Sequence, residues 1–346
     1  MISTTFRRLL KASAIRSRLG DHAVKGSTAS QQFYRSLLVL LLSLKYAKRC
    51  AKKTLVGRKK CLSHHDIFLR NYLQQLLGLR PPVCITCIGL SGEGPGSQAL
   101  TIMHAITFAR TYGLRYIHTP FSHIEHADRA IPDWINGWER QFNFGYGEAM
   151  SDGKPFDYCR NCYEMFPIFA IDDLTNFTPV LSTTIPEFRR KYYCNKSPRK
   201  NEILTIVVQV RRREVTSSHS MWTSTSFIVG TIAKVRAVLD AHNIKYKIII
   251  FSQADIAELN SPETEIYVDA DPIWTMQEAI EADILIMAKS TFSYVSAVLS
   301  DGIKIYEPFK YPPLNDWVIR GPNDKFDHAA FERQLILYRQ IAVEQI

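Results

Sequence analysis

The sequence lacks an apolar run long enough to cross a membrane. The strongly apolar stretch "SLLVLLLSL", Ser36–Leu44, covers nine residues between Arg35 and Lys45, whereas a spanning helix needs roughly 17 to 25. Acid is scarce at the same end. The first 60 residues hold 15 Lys and Arg against the single Asp21, a balance of +14, while the rest carries 28 basic and 32 acidic residues, a balance of −4. The net +10 therefore belongs to an N-terminal segment and argues against a basic nucleic-acid-binding domain, so no nucleic-acid partner is expected. With "KYAKRCAKK" behind it, the short run reads as an interfacial anchor held to anionic lipid, or as a helix packed on the domain. The opening "MISTTFRRLLKASAIRSRLG" suits an amphipathic surface helix or an organellar transit peptide. The expected location is cytoplasmic, peripheral at a membrane face.

Cysteine is too sparse and irregular for a secreted disulfide framework. The seven are Cys50, Cys61, Cys84, Cys87, Cys159, Cys162 and Cys194, an odd number that fits reducing surroundings. Cys84 and Cys87 lie in an apparent strand, "VCITCIG", where positions three apart point to opposite faces. "YCRNCY", with Cys159 and Cys162, has the spacing of half a zinc site or a redox pair, but no second CxxC stands at a finger-like distance. The loop "GEGPGSQ", Gly92–Gln98, lacks the G-x-G-x-x-G spacing, and no acid closes the following strand where a dinucleotide ribose requires one, which disfavours a dehydrogenase. No lysine follows the loop to make a P-loop, and no internal repeat competes.

What is present is a series of short apolar runs alternating with amphipathic stretches, the pattern of an α/β protein. A chain of 346 residues exceeds what one core usually holds. Residues 1–80 read as a basic helical N-terminal extension, 81–200 as one Rossmann-like domain and 201–346 as a second. In the first, "VCITCIGL", the glycine loop, an apolar stripe at Ala99, Met103, Ile106 and Ala109, and "LRYIHTPF" predict strand, loop, helix and strand. An aromatic, less regular region follows, containing "WINGWERQFNFGYGE". In the second, "ILTIVVQV", "YKIIIF", "EIYV", "DILIM" and "IKIYE" predict five strands. Ile228, Ile232, Val235 and Leu239 mark a helix face between the first two, and Pro272 suits the first turn of another helix.

Three places carry candidate chemistry. Three arginines, Arg211, Arg212 and Arg213, follow the buried run "TIVVQV", at the carboxyl end of a strand where open α/β sheets bind ligands. The loop Gly92–Gln98 enters a helix and can offer backbone amides to an anion. "DILIMAKSTFSYVSAVLS" runs from a strand through Lys289 into a helix starting near Ser290 or Thr291. Ser and Thr are good N-caps, and here they also build a phosphate site from hydroxyls, N–H groups and the positive helix end. Glu93 is the first candidate for a general base, with His118 and His123 behind it. Asp269 and Asp271 form a D-x-D after a strand, the pattern by which metal-dependent glycosyltransferases hold Mn²⁺ on a diphosphate. Turn and cap duty accounts for Asp271 without metal, and the metal-free reading is preferred.

Together these stretches resemble the superfamily of fucosyltransferases that use GDP-fucose: the α-1,2- and α-1,6-fucosyltransferases, the rhizobial nodulation enzymes and the protein O-fucosyltransferases. "VQVRRREV" resembles their H-x-R-R-G-D segment, "GPGSQALTIMHAITFARTYGLRY" their G-x-G-N-Q helix, and "ADILIMAKSTFSYVSAVLSDG" their S-S/T-F-S donor loop. All three stand in the family's order, over about Cys84 to Pro308. The resemblance implies a GT-B fold of two facing Rossmann-like domains, 81–200 on the acceptor side and 201–346 binding the nucleotide sugar, with no cofactor beyond that substrate. It puts the donor's β-phosphate on Arg211, with Arg212 shaping the site. Gln209 stands for the histidine, Arg213 for the glycine, Glu214 for the aspartate and Ser97 for the asparagine. Donor contacts then fall to Gln209, Arg211, Arg212, Asp269, Ser290, Thr291 and Ser293, with Asp269 set to meet a guanine edge or ribose. Gly94, Gly96, Ser97, Gln98 and His123 make the acceptor-side loop. The expected reaction moves a sugar to a glycan or glycolipid, with a non-catalytic nucleotide-sugar- or glycan-binding protein, or a metal-dependent enzyme using Asp269 and Asp271, as alternatives.

Overall fold

The computed structural model describes residues 64–88, 92–125, 133–151, 160–161, 180–199, 201–212, 215–321 and 325–344. The basic segment before residue 64, the Cys159/Cys162 pair, Arg213 and Glu214 lie outside them. No helix among the described residues is long and apolar enough to cross a membrane.

By its contacts the chain gathers into two units. One is drawn from stretches ending at residues 88, 120 and 184; the other comprises 89–100, 121–146 and 185–346. Each is α/β and carries an all-parallel sheet, the class that the alternating pattern predicts.

The first unit holds α1 (His64–Leu76), β1 (Cys84–Thr86), β2 (Arg115–His118), β3 (Ala149–Met150) and β4 (Arg160–Asn161), with sheet order β3-β2-β1-β4. Helix α2 (Pro95–Tyr112) begins in the second unit and continues into the first. Ala99, Met103, Ile106 and Ala109 are all fully buried, so the predicted stripe is the packed face. Cys84 is half-buried, and burial pushes its thiol pKa up; Cys87 is buried.

The second unit contains α3 (Trp134–Phe142), α4 (Ile185–Tyr193), β5 (Leu204–Val210), α5 (Thr225–Ala241), β6 (Tyr246–Ser252), β7 (Thr264–Val268), α6 (Pro272–Ile280), β8 (Ile284–Ile286), α7 (Thr291–Leu299), β9 (Ile303–Tyr306), β10 (Val318–Ile319) and α8 (His328–Glu344). All neighbours in the order β10-β9-β8-β5-β6-β7 are parallel. The chain grows outward from β5 through β6 to β7, then returns to lay β8 on the other side of β5. That reversal is the topological switch of a doubly wound sheet, beyond whose carboxyl ends ligands bind.

Strand alternation sorts the core. Ile206, Val208, Ile248, Ile250, Ile284 and Ile286 share one face with Ile228, Ile232, Val235 and Leu239 of α5 and with Phe331 and Leu335 of α8. Val207, Ile249 and Leu285 alternate to the opposite face and are also buried, on the side where α6 packs against β5 and α7. Burial on both faces is why these strands read as unbroken apolar runs.

Candidate functional site

Carboxyl ends of four parallel strands and the N-termini of four helices, one of them α3 through Trp134, surround a cavity of about 270 Å³ in the second unit. Gln209, Val210 and Arg211 come from the end of β5, Phe251, Ser252 and Gln253 from β6, Asp269 and Ala270 from β7, and Ala288 from β8. Gly94–Ser97 stand at the start of α2, Pro272 and Thr275 in α6, and Ser290–Ser293 at the start of α7. The cavity therefore lies where the sheet's strand order reverses.

Local chemistry explains each helix start. Ser290 is the N-cap of α7, with extended backbone and a side-chain oxygen accepting the Ser293 N–H at 3.0 Å. Asp271 caps α6 by accepting the Trp274 N–H at 2.8 Å, with Pro272 next to it, so its carboxylate already has a structural task. Asp269 sits before it in a left-handed conformation, φ 54°, and donates its N–H to the Ser252 carbonyl at 2.7 Å. Helix α2 has no acid in its first turn, and neither has α7, so neither offsets its positive end with a carboxylate of its own first turn.

Gly96 lets two of these ends meet. A Cβ built there would lie 2.6 Å from both Cα and N of Phe292 and 3.0 Å from the Thr291 carbonyl carbon. The N-termini of α2 and α7 thus touch through backbone, and two sets of helix dipoles converge on one space. Arg211 is the cation lining this cavity among the described residues, and its Nη1 lies 3.6 Å from Met221 Sδ. A fixed guanidinium beside two helix N-termini is an arrangement suited to a diphosphate.

The neighbouring cations are held by the protein itself. Arg212 is buried, donating from Nη1 to the carbonyls of Arg211 and Thr223 at 2.9 and 3.1 Å and from Nη2 to Thr225 Oγ1 at 3.1 Å, with its guanidinium 4.0 Å over the Trp222 ring. It shapes the loop after β5 and is absent from the cavity lining. Lys289 pairs with Glu307 at 2.7 Å, and Glu307 also accepts from Thr223 Oγ1 at 2.8 Å.

The remaining predicted residues divide. Gly94, Gly96, Ser97, Gln209, Arg211, Asp269, Ser290, Thr291 and Ser293 are brought together around the cavity. Gln98 is buried beneath its rim: Nε2 donates to the carbonyls of Glu93 and His123 at 2.9 and 2.6 Å, clamping two loops. Glu93 enters this clamp through its backbone, which also accepts the Glu125 N–H at 3.1 Å, and does not line the cavity. His123 is exposed, 3.1 Å from Glu125. His118 belongs to the first unit, fully buried with Nδ1 3.3 Å from the Tyr116 hydroxyl. Phe251, Ser252, Gln253 and Trp134 were missed by the sequence reading. The first three stand at the end of "YKIIIF", and following each predicted strand two residues past its apolar run would have found them.

No protein-family profile and no curated protein sequence matches the chain. Among solved structures, it is similar to fucosyltransferase NodZ from Bradyrhizobium, at 10% identity and a TM-score of 0.30, covering 67% of this chain and 97% of that one. It is also similar to the E. coli heptosyltransferase WaaC with ADP, at 12% and 0.36, covering 75% and 98%. A third likeness is to POFUT1 in complex with GDP-fucose, at 12% and 0.25, covering 74% and 79%. Likenesses this remote leave the chemistry to be argued from the cavity's own residues.

Proposed function

We propose that the chain is a glycosyltransferase that binds a nucleoside-diphosphate sugar in this cavity and transfers the sugar to a glycan or glycolipid. The observation that carries the reading is the placement of Arg211 beside the touching N-termini of α2 and α7 at the strand-order reversal of the sheet. Cleaving the bond from the anomeric carbon to the diphosphate builds positive charge on the sugar and negative charge on the departing oxygen. Preorganised donors aimed at that oxygen are worth more as charge develops than before it does. GDP-fucose is the favoured donor, because the three motif resemblances concern enzymes that use it. They also imply the GT-B arrangement.

The test is a screen of the full chain for turnover of GDP- and UDP-sugars; transfer from none of them refutes the reading. Repeating it with EDTA separates the metal-free mechanism from one using Asp269 and Asp271, in which activity vanishes and Mn²⁺ restores it. The capping bond of Asp271 favours the former. A second reading, donor binding without turnover, is supported by Glu93 serving the loop clamp instead of facing the cavity. Saturable donor binding with no transfer identifies it. Membrane attachment through the N-terminal segment belongs to the same proposal: sedimentation of the full chain with anionic liposomes should be strong at low salt and weak at high salt, since each basic residue adds roughly 1 kcal/mol near such a surface.

A further inference from the structure

Gln209 and Ser293 form a buried pair at the cavity floor whose hydrogen-bonding capacity fixes what it can offer a ligand. Ser293 is 1% exposed and Gln209 6%. The Ala288 N–H donates to Ser293 Oγ at 3.2 Å, and the Ser290 hydroxyl reaches the same oxygen at 3.3 Å. A hydroxyl has two lone pairs and one proton. With both lone pairs engaged, Ser293 can only donate its proton, and it does so to Gln209 Oε1 at 2.5 Å. The carboxamide cannot be reversed without facing its NH₂ toward an oxygen that has no acceptor site left. Gln209 must therefore turn its amide nitrogen away from Ser293. That nitrogen is buried and has no hydrogen-bond partner among the described residues, a costly arrangement unless something else supplies an acceptor. Gln209 lies in β5 and Arg211 is the first residue beyond it, and both line the cavity.

We propose that the Gln209 amide contacts the ligand, donating to an oxygen of the same diphosphate that Arg211 meets, and that Ser293 is the positioning residue that decides which end of the amide faces it. The inference rests on the nucleotide-sugar reading. A carboxamide does not titrate, so this contact holds unchanged across the pH range where a histidine would switch.

Calorimetric titration of the full chain with GDP, UDP and ADP tests it. Gln209→Met keeps the shape but removes the donor, and should weaken the best-bound diphosphate about tenfold or more. Gln209→Glu keeps an acceptor for Ser293 yet turns a second oxygen toward the ligand. It should weaken binding more than Gln209→Met does near pH 7.5, and recover as falling pH protonates the carboxyl and restores a donor, while the wild type shows no such recovery. Ser293→Ala should cost several-fold with Gln209 intact. A purely structural role predicts lower melting temperatures with wild-type affinity in the folded protein. Wild-type affinity in Gln209→Met, or a Gln209→Glu variant with no pH-dependent recovery, overturns the proposal while leaving the nucleotide reading standing. Failure of the wild type to bind any of the three diphosphates overturns both.

Discussion

The six-stranded sheet of the second unit and the four-stranded sheet of the first are both all-parallel, yet they support different things. Strands β5 and β6 run seven residues each, whereas β1 to β4 run three, four, two and two. Strands β5 and β6, buried along most of their length, carry Gln209, Arg211, Ser252 and Gln253 at their carboxyl ends, and the three-residue β8, paired beside β5, leads to the serines that open α7. The short strands of the first unit end sooner and present His118 fully buried against Tyr116. Rigid positioning for chemistry belongs to the long sheet.

The sharpest way to break that comparison is at Arg211. Arg211→Ala removes the one cation that lines the cavity among the described residues and should cost on the order of 10²-fold or more in turnover, the scale seen for other preorganised electrostatic groups. The melting temperature should stay near wild type. Arg211→Lys should rescue poorly, because a point charge does not reproduce the planar fork. A fully active Lys variant measured by donor turnover would remove bidentate phosphate binding from the assignment.

A paired core truncation separates the two sheets directly. Ile206→Ala and Ile85→Ala each delete a fully buried side chain, and each should destabilise by about 2–5 kcal/mol in denaturant unfolding. Only Ile206 belongs to the sheet whose strand ends form the cavity, in the same strand as Gln209. Diphosphate affinity measured well below the unfolding midpoint should fall for Ile206→Ala and hold for Ile85→Ala. Equal losses would mean that the first unit's sheet also sets the site.

Gly96 comes next in size. A methyl group there meets Phe292 backbone at 2.6 Å, and backbone cannot swing aside as a side chain can. Gly96→Ala should cost about 1–3 kcal/mol, as overpacking does, and should also weaken diphosphate binding by separating the N-termini of α2 and α7. Gly137, where a Cβ would meet only the Ile273 Cδ1 at 2.9 Å, is the control. Alanine there pushes a flexible side-chain end and should leave binding unchanged.

Much of the long sheet was legible because burial on both faces writes itself into composition. "ILTIVVQV" became β5, "YKIIIF" became β6, and the stripe from Ile228 to Leu239 became the buried face of α5. Ser290 and Pro272 marked helix starts through cap chemistry that is local in sequence. Helix α3 was hidden for the opposite reason. Gly137 interrupts its propensity, and its ends are set by Asp133 and Asn143 in left-handed conformations. Beside the i,i+4 stack of Trp138 on Phe142 at 5.5 Å, it is held by Trp138 edge-on to Phe292, a contact that no short window of sequence contains. The same limit applied at the site. Spacing identified Arg211 and the serines, but whether Glu93 lends its carboxylate or its backbone was decided by Gln98, five residues on.

The smallest effect expected is a slope in stability with pH, and it originates beside the long sheet at Lys196. Its ammonium donates to the Gln141 carbonyl at 2.6 Å and lies 3.6 Å over the Tyr192 ring. Burial pulls its pKa down to about 8, with Glu281 opposing, from an ordinary 10.5. The folded state thus releases the proton more readily than the unfolded chain. Below pH 8 both states are charged and the penalty is constant. Between about pH 8 and 10.5 the unfolded chain holds more protons, so stability should rise with pH through that window. Burial raises Tyr112 and Tyr193 to about 12, which works in the other direction above pH 10, so the wild-type curve alone mixes these contributions. The difference between wild type and Lys196→Met isolates the lysine: it should be flat below pH 8 and shift in favour of the wild type from there to 10.5. A difference that stays flat throughout would show that Lys196 keeps its proton in the fold, and that its bond to Gln141 and its contact with Tyr192 outweigh desolvation.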